Sequence, residues 1–224
     1  MINKIVAGTK EAVADIKDEA VVMLGGFGPS GAPFNLVQAL LDQGARQLTV
    51  ICNSVSQVAP LIENRRVRKL IASFPTWVVR SQANPIEEQY AAGELELELV
   101  PQGTVAERIR AGGAGIAAFY TPTAVGTELE QGKEKRVIDG REYLLERALR
   151  ADVALVKAYK GDRMGNLVYH VTARNYNPII ATAANLTIAE VEEIVDVGQL
   201  DPEIIVTPGI FVDRVVKVPK RLSW

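Results

Sequence analysis

Residues 20–43 constrain the fold of this chain more than any other stretch. AVVML (20–24) is apolar at every position, which suits a strand buried on both faces of a parallel sheet covered by helices. GGFGPSGAP (25–33) breaks the run. FNLVQALLDQ (34–43) then places apolar residues at helical spacing and is closed by Gly44, where a C-terminal cap belongs. QLTVIC (47–52) and RKLIAS (68–73) continue as further strands, so the order predicts an α/β sheet joined by crossovers.

The flanking segments fill out this plan. Thr9 is placed to cap a helix carrying Val13 and Ile16 inward, with Lys10 and Glu11 outward. GELELELV (93–100) alternates leucine and glutamate, which predicts a strand at a sheet edge or solvated on one side. RVIDGREYLL (136–145) carries Asp-Gly between apolar stretches and predicts a hairpin. DVALVKAY (152–159) and NLVYHV (166–171) read as a second strand pair joined by a turn, and NPIIATAANL (177–186) as a short helix with Pro178 at its first position. IAEVEEIVDV (188–197) and EIIVTPGIFVDRVVKV (203–218) read as closing strands. With no linker or repeat in view, residues 1–224 are expected to form one domain, the hairpin region being a small subdomain.

Composition excludes several functions. A net charge of −2 without a basic block argues against nucleic acid or an anionic membrane as partner. The longest apolar runs fall short of a membrane span, and the N-terminus lacks the layout of a signal peptide. One cysteine precludes an internal disulfide and a cysteine-rich metal site, so no metal is expected. The expectation is a soluble, cytoplasmic protein.

From Gly26 the turn fits G-x-G-x-x-G, the spacing of dinucleotide sites. Such a site also needs an acid near the end of the second strand, and that strand ends in Cys52, Asn53 and Ser54. Pro29 removes a donor from the loop, and no Gly-Lys-Ser/Thr follows, so the Walker pattern fails too. A second glycine-rich stretch, PQGTVAERIRAGGAGIAAFYTPTAVGT (101–127), surrounds a short amphipathic helix. Two such turns after strand ends suit a ligand site at the switch point of an α/β sheet, although a structural turn and a mobile flap are the plainer alternatives. Nucleophiles are scarce: the single histidine, His170, reads as a strand-surface residue, and Cys52 as a small buried hydrophobe. The residues alone leave two readings, a binding protein or an enzyme whose reactive group comes from a partner chain.

DEAVVMLGGFGPSGAP (18–33) resembles the N-terminal signature of the family I CoA-transferases, of the 3-oxoacid and acetate/acetoacetate type, in their A (α) subunit. AGELELELVPQGTVAERIRAGGAGIAAFYTPTAVGT (92–127), ALRADVALVKAYKGDRMGN (148–166), ARNYNP (173–178) and AEVEEIVDVG (189–198) match in the same order. The resemblance implies a three-layer α/β/α fold with a mostly parallel sheet, and transfer of CoA from an acyl-CoA to a carboxylate by a ping-pong route. It implies a nucleophilic glutamate on a B (β) subunit, within an α2β2 or higher assembly, and coenzyme A thioester as substrate rather than a resident cofactor. Carried over by residue, it puts Gly25, Gly26, Phe27, Gly28, Pro29, Ser30 and Gly31 at CoA. It makes Gln102 the donor to the thioester carbonyl oxygen, and lines the site with Asn53, Gly112, Gly113, Ala114 and Gly115. Glu19, Ser54 and Ala117 depart from the family pattern, and 74–90 looks longer than in relatives, which leaves acyl specificity open.

Overall fold

The computed structural model describes residues 2–76 and 84–219. Its main sheet contains seven mutually parallel strands: β1 Val21–Leu24, β2 Leu48–Ser54, β3 Val67–Phe74, β4 Glu96–Leu99, β8 Ala151–Asp162, β10 Ala184–Val195 and β11 Arg214–Lys217. Their spatial order is β11-β10-β8-β1-β2-β3-β4. A two-residue strand, β9 (Leu167–Val168), runs antiparallel on β8. A separate antiparallel sheet orders β5 (Ala118–Thr121), β7 (Arg141–Arg147) and β6 (Lys135–Ile138).

Alternation along the parallel strands produces two cores. Val22, Leu24, Val50 and Cys52 face one side, under α1 (Thr9–Ala12), α2 (Phe34–Gln43), α3 (Val55–Glu63) and α4 (Pro85–Ala91). Met23, Ile51, Ile71 and Ala154 face the other, under α5 (Gln102–Gly113) and α6 (Asn177–Ala181). The result is the expected three-layer α/β/α arrangement, and it explains why β1 is apolar throughout. Among the described residues no helix is long and apolar enough to cross a membrane.

The Asp-Gly hairpin forms as expected, with Asp139 and Gly140 both at positive φ (49° and 76°), as a two-residue I′ turn requires. Arg108 of α5 clamps this sheet to the main body. Its Nε donates to the Arg147 carbonyl (2.7 Å) and its Nη1 to Glu98 of β4 (2.7 Å), while Glu146 lies 3.8 Å away. Glu98 is therefore drawn away from water. Burial raises its pKa, but hydrogen bonds and charge from Arg108 and Lys69 outweigh burial and hold the carboxyl below its usual range. β4 is the edge strand expected of GELELELV, yet its acidic face is tied down by cations and Leu99 on the other face is 43% exposed.

Several expectations need correction. The first helix is one turn, with Gly8 at its N-cap and Thr9 its first residue; Val13 and Ile16 are buried, but beyond the helix. NLVYHV keeps only Leu167–Val168 as strand, since His170 caps a 3₁₀ turn over Val171–Arg174. The helix at Asn177 stops at Ala181 because Ala184 already pairs with β8. In 203–218 only Arg214–Lys217 is strand, preceded by 3₁₀ turns at Pro202–Ile204 and Gly209–Phe211. No expectation covered α3, where Pro60 sits inside a helix, although Ser54 and Gln57 hold a capping-box spacing and Val55, Val58, Leu61 and Ile62 are periodic. Of the 74–90 stretch, residues 77–83 lie outside the described residues.

Candidate active site

β1 lies between β2 and β8, so the chain crosses outward in opposite directions on its two sides. That is a topological switch point, and the glycine turn leaves the carboxyl end of β1 there. Gly25 N donates to the Leu155 carbonyl (2.9 Å), extending the β1–β8 ladder by one bond. Phe27 and Ser30 then exchange two backbone bonds (2.9 and 3.1 Å), forming a tight turn with Gly28 and Pro29 at its tip. Phe27 is 43% exposed there. Among the described residues the amides of Gly26, Gly28 and Gly31 donate to no acceptor, although Gly26 and Gly31 are buried. Buried amides of this kind take water or ligand oxygens as partners.

Two of the turn's four glycines, Gly25 and Gly31, make room for Asn177 and Ala173. Asn177, fully buried, accepts from Lys157 N (3.0 Å) and donates to the carbonyls of Gly31 (3.0 Å) and Ala173 (2.9 Å). A Cβ at Gly25 would lie 1.9 Å from Asn177 Oδ1, and one at Gly31 would lie 2.4 Å from the Ala173 oxygen. Gln57, also fully buried, adds a second tie: its Nε2 donates to the Gly25 carbonyl (2.6 Å) and its Oε1 accepts from Ser54 N (2.8 Å).

The dinucleotide alternative meets a physical obstacle here. Its pyrophosphate would sit at the N-terminus of the following helix, and in this chain a protein carboxylate holds that place. Glu190 of β10, fully buried, accepts from Leu36 N (3.0 Å) and Asn35 Nδ2 (3.0 Å) in the first turn of α2, with Lys157 Nζ 3.7 Å away. Burial raises the Glu190 pKa against these partners.

Three chain segments converge beside the turn. Asn53, at the end of β2, donates from Nδ2 to the Tyr176 hydroxyl (3.4 Å). That hydroxyl donates to the backbone carbonyl of Gln102 (3.0 Å), the first residue of α5. Asn53 is buried, and its Oδ1 has no partner among the described residues; Ser73 Oγ, on the neighbouring strand, and Thr104 Oγ1, in the first turn of α5, share that condition. One hydroxyl thus bridges the Asn53 side chain and the backbone at Gln102. Cys52, one residue away, is fully buried, and desolvation pushes its thiol pKa up to about 12, so it is no thiolate nucleophile at neutral pH.

The second glycine group does not join this cluster. Gly112 and Gly113 form the last turn of α5, about 16 Å along the helix from Gln102 at the usual rise per residue. A Cβ at Gly112 would lie 1.9 Å from the Leu149 carbonyl oxygen, and one at Gly113 would lie 2.1 Å from Thr182 Oγ1. These glycines let α5 dock on its neighbours. Ala114 is the exposed C-cap, and Gly115 (φ 74°) faces open space. Residues 112–115 therefore lie at the far end of α5 from Gln102.

Gln57, Asn175, Tyr176 and Asn177 hold the turn and the neighbouring strand ends together, and none of them was singled out as a candidate from the sequence. Asn175 donates to the Ser30 carbonyl (3.0 Å), so the run Asn-Tyr-Asn reaches the glycine turn, β2 and α5 together. In the sequence ARNYNP shows only polar side chains beside a helix-starting proline, a pattern too common to single them out. Val171, shortly before this run, sits at φ 49° and bears the backbone strain common beside functional sites.

Residues 6–218 match the model of the family described as Coenzyme A transferase. The chain is 51% identical to the A subunit of the 3-oxoadipate CoA-transferase of Pseudomonas putida, over 97% of this chain and 95% of the relative. It is 49% identical to the A subunit of a probable succinyl-CoA:3-ketoacid coenzyme A transferase of Bacillus subtilis, over 96% and 90%. Among solved structures, an acyl-CoA transferase of Escherichia coli O157:H7 superposes with a TM-score of 0.84 at 23% identity, covering 98% of this chain. The chain spans about half the length of that enzyme (48%), and the likeness bears on the fold alone. By its sequence over nearly its whole length, the chain belongs to the Coenzyme A transferase family.

Proposed function

We propose that this chain is the A subunit of a two-chain CoA-transferase that moves CoA from an acyl-CoA to a 3-oxoacid or another short carboxylate. The nucleophilic glutamate is supplied by a B subunit. The observation that carries this reading is the pairing of unpartnered donors with the lack, among the described residues, of a thiolate or uncommitted carboxylate beside them. Beside the switch point the amides of Gly26, Gly28 and Gly31 have no acceptor among the described residues and the backbone of Gln102 is tethered nearby through Tyr176, while the thiol of Cys52 is sealed and Glu190 is committed to α2. Donors without a nucleophile make half of an acyl-transfer site.

In the proposed reaction the partner's glutamate carboxylate attacks the thioester carbonyl, and CoA leaves as thiolate, giving an acyl-glutamyl anhydride. The thiolate then attacks the glutamyl carbonyl, releasing the first acid and leaving a glutamyl-CoA thioester. The acceptor carboxylate runs these steps in reverse. Each step passes through a tetrahedral oxyanion, and the neutral Gln102 amide stabilises it by donating an N–H hydrogen bond with no proton transferred; removing one such donor typically slows an enzyme by about 10²-fold. The turn at Gly25–Gly31 holds the CoA portion through backbone amides. Substrates of the 3-oxoadipate, 3-ketoacid and acetate classes are the first to assay, given the names of the relatives.

The test is transfer from succinyl-CoA or acetyl-CoA to a panel of carboxylates, by the chain alone and co-expressed with a B subunit. The expected result is no transfer by the chain alone and transfer by the pair. Robust activity of the purified chain alone would overturn the reading.

A further inference from the structure

The Tyr176 hydroxyl has one proton and stands between two groups of fixed character. The Gln102 carbonyl can only accept, so the proton is committed there (3.0 Å). The hydroxyl must then accept from Asn53, which obliges Asn53 to offer Nδ2 and leaves its Oδ1 buried without a partner among the described residues. An orphaned buried acceptor is unfavourable, so this amide orientation is held against a penalty. The Tyr176 ring is packed in the core beneath α5 and α6, which fixes where the hydroxyl sits. Burial raises the Tyr176 pKa, while its hydrogen bonds with Asn53 and Gln102 oppose the rise, so the proton stays in place at neutral pH.

We propose that Tyr176 is a positioning residue for CoA transfer: its hydroxyl ties the first turn of α5, and with it Gln102, to the Asn53 amide at the end of β2. This rests on the reading of Gln102 as the oxyanion donor. A donor on a rotatable side chain is aimed only as well as the helix start that carries it. That start has no side-chain cap of its own, since Pro101 occupies the N-cap. Tyr176 supplies the missing tether from a segment 74 residues distant in sequence.

The experiment is Tyr176→Phe, which keeps the buried ring, assayed in the complex with the B subunit beside Gln102→Ala and the double variant. The expected single-variant result is kcat lower by about tenfold, the scale of one lost hydrogen bond, with KM for acyl-CoA unchanged. In the double variant Tyr176→Phe is expected to slow Gln102→Ala no further, because residues acting as one unit are not additive. Unchanged kcat in the single variant, or a full additional loss in the double, overturns the proposal. A crystal structure of Tyr176→Phe in the complex gives a readout independent of activity: the Asn53 amide is expected to rotate and the start of α5 to shift. Superposition of both on the wild type overturns the positioning role. Absence of transfer by the wild-type pair would instead defeat the functional reading, leaving the crystallographic outcome to decide the role of Tyr176.

Discussion

The two glycine-rich segments look alike in sequence and serve opposite ends of the fold. At Gly25–Gly31 the chain turns at the switch point of the sheet, three backbone amides have no acceptor among the described residues, and a Cβ at Gly28 would meet none of them. At Gly112 and Gly113 the glycines are helical and admit the Leu149 carbonyl and Thr182 at distances that no Cβ allows. Even within the first segment, Gly25 and Gly31 are required by packing against Asn177 and Ala173 rather than by a ligand. Glycine density therefore reports close approach of something to the backbone. Whether that something is ligand or protein depends on what stands opposite.

Substitutions sharpen the contrast. The largest effect is expected at Gly112→Ala. Alanine in a helix ordinarily gains about 1 kcal/mol over glycine, but here the methyl meets a backbone carbonyl that cannot swing aside. A net loss of about 3 kcal/mol, at the upper end for overpacking, should appear in chemical unfolding of the assembled enzyme. Any gain in stability would detach Gly112 from its packing role. Gly28→Ala should be milder, because its Cβ would meet nothing and only the positive φ (54°) resists, roughly 1 kcal/mol. Its signature is a raised KM for acyl-CoA at nearly native stability; an unchanged KM would remove the turn's tip from the ligand surface.

The smallest effect concerns the helix start beyond the turn. The Glu190 pKa is raised by burial above its ordinary 4.5, so its contribution to stability is fully present below that value. It is lost as pH rises through the higher folded-state pKa, where a buried carboxyl must ionise. Urea unfolding across that window should show this decline in the wild type and lack it in Glu190→Gln, which keeps an acceptor for Leu36 N and Asn35. Parallel pH profiles for the two proteins would show that Glu190 is not the source.

The outline of the fold was legible from residue patterns. A run apolar on both faces marked β1, further strand-like runs marked β2, β3, β8 and β10, and Gly44, at φ 100°, closes α2 as its position predicted. Legibility failed where a local signal was weak or contradicted by tertiary pairing. Ala184 belongs to β10 because β8 offers it a ladder, although NPIIATAANL continues a helical pattern. Pro60 hides α3, and the apolar residues of 203–212 are held in turns, with Thr207 bonded to Leu167 and Tyr169. Asn53 and Gln102 were marked by resemblance to a family rather than by any local pattern, and nothing local distinguished Asn177 or Tyr176 from other polar residues near a proline.

The sequence by itself determined a parallel α/β sheet, a glycine turn after its first strand, the Asp-Gly hairpin and membership in a family of CoA-transferases. These follow from periodicity, turn chemistry and identity, all of which are read along the chain. Only the tertiary structure decided which glycines are spaces for protein, and that α2 begins on a carboxylate rather than an anion site. It also decided that Tyr176 joins Asn53 to Gln102. Each of those outcomes depends on a group tens of residues or more away, at separations of 37 for Gly112 and Leu149, 74 for Tyr176 and Gln102, and 154 for Leu36 and Glu190. Hydrogen bonding and steric exclusion act over a few ångströms of space, and sequence distance carries no record of them until the sheet has brought the strand ends together.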